Sequence, residues 1–116
     1  MNYRSGLEER IGKYLDKDNI PFLYEAQKFD YTTASKYTPD FFFPNGVIIE
    51  AKGFFKPSDR RKMLAVKDQN PGVDIRFVFQ RNNTLSKGSK TTYGDWATKH
   101  GFLWCIFPNI PSSWLE

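Results

Sequence analysis

The chain has 116 residues, 40% hydrophobic and 17% aromatic, which suits one domain with a real core, and its eleven Phe argue against disorder. No apolar run approaches the roughly 20 residues that cross a bilayer, and Met1–Ser5 carries no signal-like stretch, so a soluble cytoplasmic protein is expected, with no membrane partner. Seventeen basic against thirteen acidic residues leave a net charge of +4, which permits nucleic-acid binding without requiring it.

Ser5-Gly6-Leu7-Glu8 reads as a helix start, with Ser5 as cap and Glu8 three residues on. Leu7, Ile11, Tyr14 and Leu15 continue it as an apolar stripe, and the helix should stop near Asn19, before Pro21. A strand is expected from Phe22 to about Tyr31, then a polar connector, Thr32-Thr33-Ala34-Ser35-Lys36. Two strands follow, Thr38–Phe43 and Val47–Gly53, joined by Pro44-Asn45-Gly46. A second helix, Ser58–Gln69, carries the basic run Arg60-Arg61-Lys62 and ends at Asn70-Pro71-Gly72. Asp74–Gln80 alternates as a strand, Arg81–Thr92 is a polar loop, Tyr93–Lys99 a third helix, and Phe102–Phe107 a last strand. Trp114, in the tail 108–116, should fold back on the body. Cys105 is the single cysteine, so no intrachain disulfide can form, and it reads as a buried thiol. His100 is the single histidine, which leaves no partners for a His-based zinc site, and it reads as the cationic end of the third helix. The order α-β-β-β-α-β-α-β predicts an α/β fold, a mixed central sheet flanked by helices, in one domain over 1–116.

The hairpin carries the chemistry. A two-residue Asn45-Gly46 loop would turn Asp40 and Glu50 to opposite faces. A three-residue loop uses Pro44 and Asn45 in a type I turn and Gly46 at the left-handed bulge position. It pairs Phe43 with Val47 and sets Asp40 opposite Glu50, with Cβ atoms about 4.5–5.5 Å apart. Lys52, two residues beyond Glu50, joins that face. Two close carboxylates repel unless a cation sits between them, and a divalent metal such as Mg²⁺ answers that need. A hairpin with surface charges, Glu50 and Lys52 being solvated or in a cross-strand ion pair, is the competing reading without chemistry, since Glu-x-Lys alone is common. Against it, Phe41, Phe43, Val47 and Ile49 fill one face while Phe42 and Ile48 flank the charges, so the hairpin should be buried, and buried charges need a reason. Glu8 is explained by capping alone, although Gly12, one turn on, leaves that helix face open to close approach.

Arg4-Ser5-Gly6-Leu7-Glu8, Tyr37-Thr38-Pro39-Asp40-Phe41, Pro44-Asn45-Gly46, Glu50-Ala51-Lys52-Gly53, Asp59-Arg60-Arg61-Lys62 and Lys87-Gly88-Ser89 with Tyr93-Gly94 resemble the phage endonuclease I family. These are Holliday-junction resolvases of the PD-(D/E)XK nuclease superfamily, and the resemblance runs from about Tyr3 to Leu115. It implies a restriction-endonuclease-like fold, with Asp40, Glu50 and the main-chain carbonyl of Ala51 as metal ligands, Lys52 as the catalytic lysine and Glu8 as a further catalytic carboxylate. It also implies Mg²⁺ or Mn²⁺ as cofactor, branched double-stranded DNA as substrate, paired nicks leaving 5′-phosphates, and a domain-swapped homodimer acting in the host cell. A nicking or restriction-type nuclease of the same superfamily, or a DNA-binding module without catalysis, are the alternatives. Two departures accompany the likeness. The connector between Tyr24-Glu25 and Tyr37-Thr38 is a few residues shorter than expected for the swap, and Glu116 ends the chain without the expected basic extension. Candidate DNA contacts are Arg4, Arg60, Arg61, Lys62, Lys67, Lys87 and Lys90, with Ser86–Lys90 the best loop for backbone N–H groups to approach phosphate.

Overall fold

Ser5 starts the first helix through its side chain, its Oγ accepting the N–H of Glu8 at 3.1 Å, and α1 runs Gly6–Lys17 with Leu7, Ile11 and Leu15 buried. The computed structural model describes residues 2–31 and 35–116, so Thr32, Thr33 and Ala34 of the expected connector lie outside the described residues. Beyond α1 the strands are shorter than their sequence patterns suggest. The one strand expected over Phe22–Tyr31 is two, β1 (Leu23–Tyr24) and β2 (Phe29–Tyr31), because Glu25 takes a left-handed conformation with φ 52°. The strand expected over Thr38–Phe43 is only β4 (Phe41–Phe42), and an unexpected strand, β3 (Ser35–Tyr37), precedes it. Pro39 lies between them and has no N–H to give to a ladder. Ser35 and Lys36, expected in the connector, begin β3 and pair with β2 in a separate two-stranded sheet.

The remaining elements fall close to expectation: β5 (Val47–Lys52), α2 (Pro57–Gln69), β6 (Asp74–Phe79), α3 (Tyr93–Lys99) and β7 (Leu103–Ile106), with a 3-10 turn at Ser112–Trp114. Thr92 caps α3, accepting from the N–H of Asp95 at 3.1 Å while its own N–H donates to Asp95 Oδ2 at 3.0 Å. His100 follows the last residue of α3, as expected. The main sheet has five strands in the order β1-β4-β5-β6-β7, antiparallel on the β1 side and parallel from β5 to β7. The α/β architecture with a mixed sheet is therefore as predicted. No helix among the described residues is long and apolar enough to cross a membrane.

The sheet buries both faces. The two parallel crossovers run in the same direction, so α2 and α3 cover one face together. Ile48, Phe77, Phe79, Met63, Trp96 and Phe102 are among the residues packed there. α1 covers the other, against Phe41, Phe43, Val47, Ile49, Val78 and Cys105. Trp114 is buried on the α1 side, as the sequence suggested. Burial pushes the Cys105 thiol up to about 12, so it stays protonated as a packing group.

Phe55 ties this core to the end of β5. Its ring lies 5.0 Å from Trp96, 5.1 Å from Phe77, 5.5 Å from Phe79 and 5.6 Å from Tyr93, and Arg60 Nη1 donates to its carbonyl at 2.8 Å. Phe55→Ala should cost about 3–5 kcal/mol of unfolding free energy, measured as a lowered denaturant midpoint. A loss below about 1 kcal/mol would show that the aromatic cluster does not depend on it.

Candidate active site

The turn after β4 closes as a three-residue loop. Gly46 takes φ 89° and donates to the Phe43 carbonyl at 3.0 Å, the N–H of Phe43 donates to the Val47 carbonyl at 3.0 Å, and Val47 N–H donates to Asn45 Oδ1 at 2.9 Å. The register is Phe42 with Ile48 and Phe41 with Ile49, the parity that carries Asp40 to the level of Glu50. The ladder stops there. Asp40 leaves it to bond on two sides, its carbonyl accepting the N–H of Glu25 at 3.2 Å and its Oδ2 accepting the N–H of Ala51 at 2.8 Å. Its side chain thus takes over the bond that a longer β4 would have given β5.

Three carboxylates are buried at this end of β5: Asp40 is 2% exposed, Glu50 4% and Glu8 6%. Each has a dedicated donor. Tyr37, fully buried, donates its hydroxyl to Glu50 Oε2 at 2.5 Å. Tyr24 donates to Glu8 Oε1, and Ser5 Oγ to Glu8 Oε2 at 2.9 Å. Glu8 therefore serves the α1 cap through its N–H and the site through its carboxylate, and it stands with Asp40 within one chain. Lys52 Nζ lies 3.7 Å from Glu50 Oε1 and 3.6 Å from Asp59 Oδ1, and Asp59 Oδ2 accepts the N–H of Lys56 at 3.1 Å at the start of α2. The lysine is held between β5 and α2.

Two members of the cluster were not expected. Glu25 joins Glu8 and Asp40 so that each of the three offers an oxygen within 4.8 Å of the others. Read as a mid-strand residue, Glu25 carried no signal; its positive φ, which no sequence pattern reports, ends β1 where its carboxylate meets the cluster. Arg4 is the second, its guanidinium on the same carboxylates, Nη2 at 3.0 Å from Asp40 Oδ1 and Nε at 2.6 Å from Glu25 Oε1. The arm that carries it lies flat on α1 because Gly12 has no side chain: the Tyr3 phenol occupies the place a β-carbon would need. The Tyr3 ring packs 4.7 Å from Tyr24 and 6.1 Å from Phe41. Carboxylate and carbonyl oxygens are the hard donors that Mg²⁺ and Mn²⁺ prefer, so the expected set of Asp40, Glu50 and the Ala51 carbonyl fits such an ion in chemistry, with Glu8 and Glu25 beside it.

The other expected DNA contacts divide by what they touch. Arg61, Lys87 and Lys90 are exposed. Gly88, at φ 82°, turns the loop that carries Lys87 and Lys90, and Thr84 bridges Thr92 at its base. Arg60 holds the Phe55 carbonyl, and Lys62 lies 5.3 Å over the Tyr37 ring. Lys67 donates to the Gly101 carbonyl at 2.9 Å and covers the Phe102 ring, which gives it a packing task.

The sequence model of the family described as phage endonuclease I matches residues 1–116. Among curated relatives, endonuclease I of Escherichia phage T7 is 42% identical over 118 residues, covering 98% of this chain and 78% of that protein. Endodeoxyribonuclease 1 of Enterobacteria phage T3 is 45% identical over 105 residues, covering 87% of this chain and 69% of that protein.

Packing like charges together out of water raises their proton affinity. Burial first, then the charges of Glu50 and Glu8, push Asp40 from 3.8 up to about 8, against the Ala51 N–H and Arg4, which lower it. Burial raises Glu50 as well, against Lys52 and the Tyr37 hydroxyl. Because the folded value of Asp40 lies above the unfolded one, the folded state holds a proton that the unfolded chain releases above about pH 4. Stability therefore falls as pH rises toward 8. In buffer with chelator, the melting temperature should drop between pH 5.5 and 8.5, and Asp40→Asn should flatten that drop. Parallel curves for the two proteins would mean that Asp40 carries no raised pKa.

Proposed function

The chain belongs to the phage endonuclease I family, and on that premise we propose that residues 1–116 form one metal-dependent, structure-selective DNA endonuclease domain of the PD-(D/E)XK type. Its substrate is the Holliday junction and other branched double-stranded DNA, cut in the host cell by paired nicks that leave 5′-phosphates. The observation that carries the reading is the burial of Asp40 and Glu50 at the end of β5 with Lys52 Nζ 3.7 Å from Glu50. Pro39-Asp40 and Glu50-Ala51-Lys52 supply the residues of the superfamily pattern in their proper order. The names of the T7 and T3 relatives support a nuclease acting on DNA.

Asp40, Glu50 and the Ala51 carbonyl would hold Mg²⁺, with Mn²⁺ as a substitute. Such an ion, when bound, acidifies a water and stabilises charge on a phosphate. The chain's own groups do the rest. Tyr37 fixes one oxygen of Glu50 and leaves the other facing Lys52. Lys52, tethered on its far side by Asp59, is placed to orient an attacking water or to neutralise the phosphate oxygens as charge develops. Arg60, Arg61 and Lys62, in the first two turns of α2, follow the active-site strand by one short loop and would meet the scissile backbone. Lys87 and Lys90 would hold phosphate farther along the duplex. Resolution of a junction needs two coordinated cuts, so the working unit is a homodimer.

With Mg²⁺, a four-way junction should be cut faster than linear duplex of the same sequence, and equal rates would remove structure selectivity from the proposal. Lys52→Ala should lower the single-turnover cleavage rate at least about a hundredfold while junction binding, read by gel shift, persists. Near-normal cutting by that variant would exclude Lys52 from the chemistry. Light scattering of the protein on a junction should give two copies per DNA, and a single copy would leave nicking as the activity.

A further inference from the structure

Arg4 closes the carboxylate cluster from the solvent side. Its Nη2 is 3.0 Å from Asp40 Oδ1, and its Nε is 2.6 Å from Glu25 Oε1 and 3.9 Å from Glu8 Oε1. Those are the same three residues whose oxygens converge within 4.8 Å. The other oxygen of Asp40, Oδ2, is committed to the N–H of Ala51 at 2.8 Å. A cation held by Asp40 through Oδ1 shares that oxygen with the guanidinium, and one held through the remaining lone pair of Oδ2 still lies within a few ångströms of the same positive charge. Two cations on one carboxylate oxygen, in a site where the acids are almost wholly out of water, would repel each other strongly.

We propose that Arg4 is the resident counter-ion of this cluster, and that its guanidinium and a divalent cation exclude one another at Asp40. The inference rests on the metal-dependent reading above and adds to it a competitor built into the chain. The anatomy of Arg4 suits the role. Its backbone is fixed, the N–H donating to the Tyr24 hydroxyl at 3.1 Å, but its side chain is 59% exposed. The guanidinium can swing into water without opening a cavity. Lys52 is not so placed, being 20% exposed and held between Glu50 and Asp59. The exchange matches charge as well: Glu8, Glu25 and Asp40 meet one positive charge from Arg4 and would meet two from the ion.

The test is Mn²⁺ binding to the whole protein without DNA, by calorimetry, for wild type, Arg4→Gln and Arg4→Lys. With the competitor removed, Arg4→Gln should bind Mn²⁺ at least about tenfold more tightly, the scale set by one charge-assisted hydrogen bond. Arg4→Lys, which keeps the charge, should fall between. In wild type, the Nη–H resonance of the Arg4 guanidinium that bonds Asp40 should move from a bonded to a free-arginine position as Mg²⁺ is added. This second readout needs no variant to fold. Arg4→Gln binding no more tightly than wild type, or an Arg4 resonance unmoved at Mg²⁺ saturation, would overturn the proposal. Absence of Mn²⁺ binding to wild type and Arg4→Gln alike would remove the metal-dependent reading itself and this inference with it, a result distinct from wild-type binding that Arg4→Gln does not improve.

Discussion

The site depends on one hydrogen bond, from the Ala51 N–H to Asp40 Oδ2. It forms where β4 stops pairing with β5, so a side chain takes a bond that the backbone ladder would otherwise make. Three segments meet on that residue: β5 through Ala51, the end of β1 through the Glu25 N–H on the Asp40 carbonyl, and the N-terminal arm through Arg4. The turn at Pro44-Asn45-Gly46 sets the arrangement, because a one-residue slip of β4 would turn Asp40 to the α1 face and Phe41 toward the acids. The positions of Phe41, Phe43, Val47 and Ile49 in the α1-side core oppose such a slip, and packing energy thereby protects the geometry of the acids.

The rest of the site reads as compensation for burying negative charge. An isolated ionised carboxylate out of water is costly, and each unmet oxygen adds to the cost. Hydroxyls of Tyr24, Tyr37 and Ser5 meet Glu8 and Glu50, and Arg4 and Lys52 supply positive charge on opposite sides. The compensation is incomplete, since both Asp40 and Glu50 keep raised proton affinities. A fold selected for stability alone would fill this place with apolar side chains. Acids retained there set the proposed function in tension with its own scaffold.

Features set by local chemistry were legible in the sequence. Ser5 capping α1, Thr92 and Lys99 bounding α3, the left-handed Gly46 and the alternation along β6 are each dictated within a few residues. So was the side of the hairpin on which Asp40 and Glu50 fall. Features set by tertiary partners were not. Phe22–Tyr31 has the composition of one strand, and its break at Glu25 follows from which segments the two halves pair with. Pro39 was visible, yet its effect on the strand was underestimated because the apolar residues around it suggested continuity. Arg4 and Lys67 both read as candidate DNA contacts, while one lies against three acids and the other braces the α3–β7 corner. Tyr24 fell inside an expected strand and Tyr37 just before one, and only the fold shows which carboxylate each hydroxyl meets.

The close approach of Tyr3 to Gly12 ties a helix surface to the chemistry in a way that bears on how the family can change. The phenol lies where even a methyl group at position 12 would stand. Enlarging that position evicts the ring, which packs on Tyr24, the residue whose hydroxyl accepts the N–H of Arg4. Positions 3 and 12 of this chain are therefore sterically coupled: a side chain at 12 fits only if the aromatic ring at 3 is moved or made smaller.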